Sequence, residues 1–168
     1  MKISKKIATV LFTVFFTVLA SAQDKKPLSP AASAYGKINE ANINIIYSSP
    51  SVRGREIWGG LVPYGKVWRA GANAPTVFAV DREITVEGKK LPAGKYSFYI
   101  IPEEGNFTII FGKDRSMSAS KYDSSQDQLR VTVKPKKKTN LTESLEYSVN
   151  SNNVILTWEY LEIPISIK

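Results

Sequence analysis

From Ile43 onward the chain alternates apolar and polar positions. Ile43, Ile45 and Tyr47 fall on one side, Asn44, Ile46 and Ser48 on the other, and the run ends at Pro50. A period of two over so short a stretch predicts a strand with one buried face and one wet face. The same reading applies to Thr76–Val80 and to Ile84–Val86, the latter closed by Glu87-Gly88. Tyr96–Ile101 and Phe107–Phe111 flank a Glu103-Glu104-Gly105-Asn106 turn and predict a hairpin. Leu129, Val131 and Val133 alternate again. Leu145, Tyr147 and Val149 lead through Asn150–Asn153 into Val154–Trp158, a second hairpin, and Ile163, Ile165 and Ile167 close the chain, with Pro164 directing that strand to an edge. No window shows a capped period of 3.6, and residues 114–128 read as a Ser-rich loop. Eight or nine short strands at regular spacing predict an all-β domain, a single antiparallel β-sandwich or partly open barrel.

One stretch breaks the rhythm. Ser49 to Asn73, SPSVRGREIWGGLVPYGKVWRAGAN, is too rich in Gly and Pro for a long regular element. Yet it concentrates aromatic and cationic side chains, the types favoured at recognition surfaces. Arg53, Arg55 and Arg69 offer planar forks for an anion, and Trp58, Tyr64 and Trp68 offer flat faces for a sugar ring or a peptide side chain. Lys66, Asn73 and Thr76 complete the set of candidate ligand-binding residues. A purely structural role competes with this one: the two Trp rings plug the end of the sandwich, the Arg side chains stack on them, and the glycines serve tight turns.

Composition removes whole reaction classes. The chain has no His and no Cys, so a Ser-His-Asp triad, a Cys-His pair and a typical zinc site cannot be assembled. Paired acids remain at Glu103/Glu104, Asp123/Asp127 and Glu159/Glu162, but each reads as ordinary surface charge, and no metal or cofactor motif is present. Ser118-Ala119-Ser120-Lys121 matches S-x-x-K without the companion motifs of that chemistry. No catalytic residue is assigned. A small hydrolase that works without His, using Lys66, Tyr64, Arg69 and Asn73, is the catalytic alternative.

The start of the chain carries its own information. Lys2, Lys5 and Lys6 precede an apolar run from Ile7 to Ala20 and the small triplet Ala20-Ser21-Ala22. That layout predicts a signal peptide over residues 1–22 and an exported product, periplasmic or extracellular. The run is shorter than the ~20 residues of a spanning helix, so no stable membrane insertion is expected after cleavage. Residues 23–35 read as a flexible leader and 36–168 as the domain. The formal net charge is +8, but three of those charges lie in the signal segment. Lys134, Lys136, Lys137 and Lys138 lack interleaved aromatics and read as a solvated loop, not a nucleic-acid site.

The run GREIWGGLVPYGKVWRAGAN, with LPAGKYSFYIIP and FTIIFGK further on, resembles an uncharacterised family of exported bacterial proteins, domain of unknown function twenty-nine eleven. The likeness extends from about Ser29 to the C-terminus, and the W-R-x-G-A-N element at Trp68–Asn73 is its most specific part. The resemblance implies a secreted all-β domain and transfers no activity, cofactor or catalytic residue. It marks Gly54, Arg55, Gly59, Tyr64, Gly65, Trp68, Arg69, Gly71, Ala72, Asn73 and Thr76 as candidates. The leading expectation is an exported, non-enzymatic domain that binds a carbohydrate, peptide or cell-envelope component through residues 53–76. A purely structural role, with Ile163–Ile167 as an exposed edge offered to a partner, is the remaining alternative.

Overall fold

Each alternating run must bury one face, and two layers of strands do so against each other. The computed structural model of the protein describes residues 27–113 and 121–168. The expected signal peptide, the start of the leader and Ser118–Ser120 lie outside the described residues. Among these, ten strands form: β1 (Ala31–Ile38), β2 (Ala41–Ser48), β3 (Thr76–Val80), β4 (Ile84–Val86), β5 (Lys89–Leu91), β6 (Gly94–Pro102), β7 (Phe107–Gly112), β8 (Asp127–Val133), β9 (Lys136–Val149) and β10 (Asn153–Ser166). A 3-10 turn at Ser124–Gln126 leads into β8. The first layer is a six-stranded antiparallel sheet in the order β1-β2-β3-β6-β7-β8. The second is the long β9–β10 hairpin, extended by the small β4–β5 hairpin, because Ile167 bridges Val86 and the Thr85 and Lys168 backbones exchange hydrogen bonds. The result is an open sandwich, not a closed barrel.

Register puts the apolar sets in line. Ile45 pairs with Phe78 and Phe78 with Tyr96, so one inward row crosses three strands. Ile43, Phe98, Ile109, Phe111 and Val131 share that face and meet Leu145, Leu156, Ile163 and Ile165 of the second layer in one continuous core. Phe78, Phe98 and Phe111 form a mutually packed trio with centroids 5.1 to 6.0 Å apart. Such pairs add about 0.5–1.5 kcal/mol each beyond burial, enough for the trio to fix the middle of the sheet. Tyr99 and Ile110 point to the opposite face yet are also buried, and the Tyr122 ring lies 5.5 Å from that of Tyr99. With both faces covered, β6 and β7 have no need to alternate, which is why FYII, Phe98–Ile101, reads as an unbroken apolar run.

Several expectations change. Residues 31–35 are not a flexible leader: they form most of β1, paired with β2 from Ala31↔Ser48 to Ile38↔Ala41. Ala, Ser and Gly give no hydrophobic signal there, and the strand is dictated by its neighbours: Gly36 lies so close to β9 that an added Cβ would meet Val149 at 2.7 Å. Lys136, Lys137 and Lys138 are not in a loop but open β9, where Lys136 and Lys137 pair with Glu162 and Leu161. The two strands expected over Val154–Trp158 and Ile163–Ile167 are one strand, β10, apart from Ile167, which continues into the bridge to Val86. Ile163, Ile165 and Ile167 are not an exposed edge, since each is at most 1% exposed and faces the core.

Tyr147 of β9 is buried and donates its hydroxyl to the Ala70 carbonyl at 2.8 Å. Burial, reinforced by neighbouring Tyr47, pushes its pKa well above the usual 10. Burial pushes Tyr122 up to about 12, with its hydrogen bond to Asp127 acting the same way. Tyr47 and Tyr96 are raised too, chiefly by burial. The native state therefore holds phenol protons that the unfolded chain releases near pH 10. Stability is fully present below that value and falls as pH rises through the higher native values. Thermal unfolding followed between pH 8 and 11.5 is expected to show a midpoint that is level up to about pH 9.5 and then drops. Tyr147→Phe should flatten part of that drop and cost about 0.5–1.5 kcal/mol at neutral pH through the lost hydrogen bond. A midpoint that stays constant to pH 11.5 would contradict this assignment.

Candidate functional site

The irregular segment between β2 and β3 is held at both layers. β3 has five residues where its neighbour β6 has nine, so the far end of β6 would carry unpaired backbone. The loop returns to fill that place. Trp68 and Ile100 exchange backbone hydrogen bonds at 2.8 and 2.9 Å, and the Gly65 N–H donates to the Pro102 carbonyl at 2.8 Å. On the other side, the Val52 N–H donates to the Glu143 carbonyl at 2.7 Å and the Leu145 N–H to the Pro50 carbonyl at 2.9 Å, which attaches the loop to β9. The buried peptide groups of the segment thus find partners without forming a strand of their own.

Residues 69–76 close on themselves. The Thr76 N–H donates to the Arg69 carbonyl at 3.3 Å and the Thr76 hydroxyl to the Ala70 carbonyl at 3.0 Å. Ala70 is buried at φ 52, a left-handed conformation unusual for a residue with a side chain. Its carbonyl takes the Tyr147 hydroxyl as well, so the turn is tied to β3 and β9 at one atom. Gly71 follows because nothing larger fits: a Cβ there would lie 2.8 Å from the Thr76 hydroxyl and 3.1 Å from the Ser48 carbonyl.

This framework surrounds an open cavity of about 280 Å³ whose lining includes Arg55, Leu61, Trp68, Arg69, Asn73 and Trp158. Trp158 is 1% exposed, while Trp68 is half-buried. The Trp68 and Trp158 rings stack at 5.8 Å and 16°, and Trp58 meets each of them edge-on at 5.7 and 6.1 Å. Trp158 adjoins a bulge. The pairing of β10 with β9 slips on either side of Glu159, which is itself at φ 54, and its carboxylate accepts from the Ile57 N–H at 3.4 Å. Bulges turn the strand locally and are favoured beside functional sites. Arg69 spends one donor on the Asn73 carbonyl at 2.5 Å, and Arg55 donates to the Val52 and Ser51 carbonyls at 3.0 and 2.6 Å. No acid lines the cavity. The indole N–H groups of Trp58 and Trp158 are buried with no protein acceptor.

Of the nine residues singled out from the sequence, four line this cavity: Arg55, Trp68, Arg69 and Asn73. Thr76 does not face a ligand, because it is fully buried and its hydroxyl braces the turn. Trp58 belongs to the core at 7% exposure, which is the plug role considered for it. Arg53 points elsewhere and donates to the Leu28 carbonyl at 2.7 Å. Tyr64 and Lys66 are exposed and lie outside the cavity lining. Trp158 escaped the sequence reading, although a signal existed. Val154, Leu156 and Trp158 face inward on even positions and Ile163, Ile165 and Ile167 on odd ones, and a change of phase within one strand requires a bulge.

The acid pairs are occupied or dispersed. Asp123 caps the 3-10 turn through Ser125, Asp127 accepts from the Tyr122 hydroxyl and from Arg130, and Glu162 lies 3.8 Å from Lys138. Among the described residues no group of three or more His, Cys, Asp or Glu comes together, and none of Arg53, Arg55, Lys66 or Arg69 forms an ion pair with an acid.

The close approach at Gly71 gives a direct check on this geometry. Gly71→Ala forces the new methyl against Thr76 and a backbone carbonyl, and is expected to lower stability by about 1–3 kcal/mol in denaturant unfolding. An unchanged midpoint would mean that the turn is not packed in this way.

Neither a curated protein nor a solved structure matches this chain. One family model does, from Ser29 on the cavity rim to Ile167 where β4 is bridged, and so takes in both layers together with the whole loop. With its described sandwich covered in that way, residues 29–167, the chain belongs to the family described as protein of unknown function DUF2911.

Proposed function

We propose that the protein is an exported, non-enzymatic binding domain that recognises a carbohydrate, peptide or cell-envelope component through residues 53–76. The observation that carries this reading is the cavity that brings Trp68, Arg69, Arg55 and Asn73 together over Trp158. A volume near 280 Å³ lies just below the ~300–1,000 Å³ of small-ligand sites, which suits one ring or one side chain in place of a long polymer segment. Aromatic and Arg groups at the centre of such a site are the side chains from which most binding energy is drawn. Export is supported by the basic start, apolar run and small triplet of residues 1–22.

The arrangement favours binding over the hydrolase alternative. Arg69 and Asn73 share the cavity, but Tyr64 and Lys66, the bases that alternative needs, are not in its lining. A general base must come within hydrogen-bond reach of the proton it removes.

Retention on an array of saccharides, peptides and solubilised envelope fragments tests the proposal. Arg69→Ala is expected to weaken retention at least tenfold while costing about 0.5–1.5 kcal/mol in unfolding, the loss of its hydrogen bond to the Asn73 carbonyl. Trp68→Ala should reduce both, because its ring stacks on Trp158. Retention that survives Arg69→Ala unchanged, or a protein that binds nothing on the array, would overturn the reading.

A further inference from the structure

The geometry points to an acidic saccharide as the ligand, a sugar whose ring lies against Trp68 and whose carboxylate meets Arg69 and Arg55. This rests on the binding role proposed above and goes further by fixing the chemistry of what is bound.

Three observations lead there. First, the polar groups offered by the cavity are weighted toward donors. Two guanidinium groups line it, neither has a carboxylate within ion-pair distance among the described residues, and no acid lines the wall. A guanidinium carries five N–H donors and no acceptor. Arg69 commits one of these to the Asn73 carbonyl and Arg55 two to the Val52 and Ser51 carbonyls, leaving the rest of the Arg69 fork for a planar carboxylate and Arg55 as a single-donor partner. Second, the Trp158 ring lines the same cavity and stacks on that of Trp68 at 5.8 Å. Aromatic surface of this kind suits the ring of a sugar. Third, the main chain at the cavity wall is already engaged. Trp68 uses both its N–H and its carbonyl on Ile100, and Ala72 donates to the Ser48 carbonyl. A peptide laid beside a strand is recognised largely by free main-chain groups, and this wall has few to give. A sugar acid asks for what remains: a flat hydrophobic face for its ring and side-chain donors for its hydroxyl, ring and carboxylate oxygens.

The test is a fluorescence and calorimetric titration of the purified protein with four probes: a digalacturonate, its neutral methyl ester, a short peptide with a free C-terminal carboxylate, and inorganic phosphate. The expected result is that digalacturonate binds, perturbs Trp emission, and exceeds its methyl ester at least tenfold in affinity at low salt. Arg69→Gln should erase that preference, bringing the affinity for digalacturonate down to that for the ester. Arg69→Lys, which keeps the charge but loses the fork, should fall between the two. Equal affinity for acid and ester, or peptide or phosphate binding as tightly as the uronate, would overturn this inference while leaving the binding role standing. If none of the probes binds and the array also retains nothing, the binding role itself falls and the inference goes with it.

Discussion

One buried carbonyl ties the loop between β2 and β3 to both layers of the sandwich. The oxygen of Ala70 accepts from Thr76 in the six-stranded sheet and from Tyr147 in the opposing hairpin, so a residue in a strained left-handed conformation becomes the junction of both layers. Strain of this kind costs about 1–3 kcal/mol and persists where the surroundings over-determine it. Two hydrogen bonds in a core from which water is excluded supply that determination. The turn they fix sets the direction of Arg69 on one side and Asn73 on the other, and both then line the same cavity.

The second determinant is the shortfall of β3 beside β6. A sheet that left Ile100 and Pro102 without partners would bury unsatisfied peptide groups. Trp68 and Gly65 take up those bonds, so the loop is a wall of the sandwich as much as an insertion into it. Trp68 is placed by this pairing and Trp158 by its position beside the bulge, and their rings meet in a stack that brings aromatic surface to the cavity. The cavity is thus a consequence of how the sheet ends are closed. Its weighting toward donors follows from which side chains the closure leaves over.

Sequence patterns carried the framework well and the joints poorly. The strands with alternating Ile, Val and aromatic residues, β2, β3 and β8, stand where their period places them, because burial of one face was the dominant force on each. β1 was invisible: AASAYGKI has little to bury, and it is a strand only because β2 and Val149 lie beside it. The Lys-rich start of β9 was hidden in the same way, since pairing with β10 outweighs its solubility. Within the loop, residue type identified the cluster but not its geometry. Arg55, Trp68, Arg69 and Asn73 converge, whereas Arg53, Tyr64 and Lys66 diverge, and only the hydrogen bonds to distant strands decide which. Trp158, a hundred residues from Trp58 in the chain, enters the site through long-range packing: the change of phase along β10 marks the bulge beside it but not the cavity that it lines.

The account depends on the loop being preformed, and amide hydrogen exchange measures that most directly. The Gly65, Trp68 and Thr76 amides, which donate to Pro102, Ile100 and Arg69, are predicted to exchange as slowly as the Ile100 amide of β6, in one cooperative unit with the sheet. Fast exchange at Gly65 and Trp68 while Ile100 and its neighbours in β6 and β7 remain protected would show a loop detached from the sandwich, and would contradict the preformed cavity on which the binding role stands.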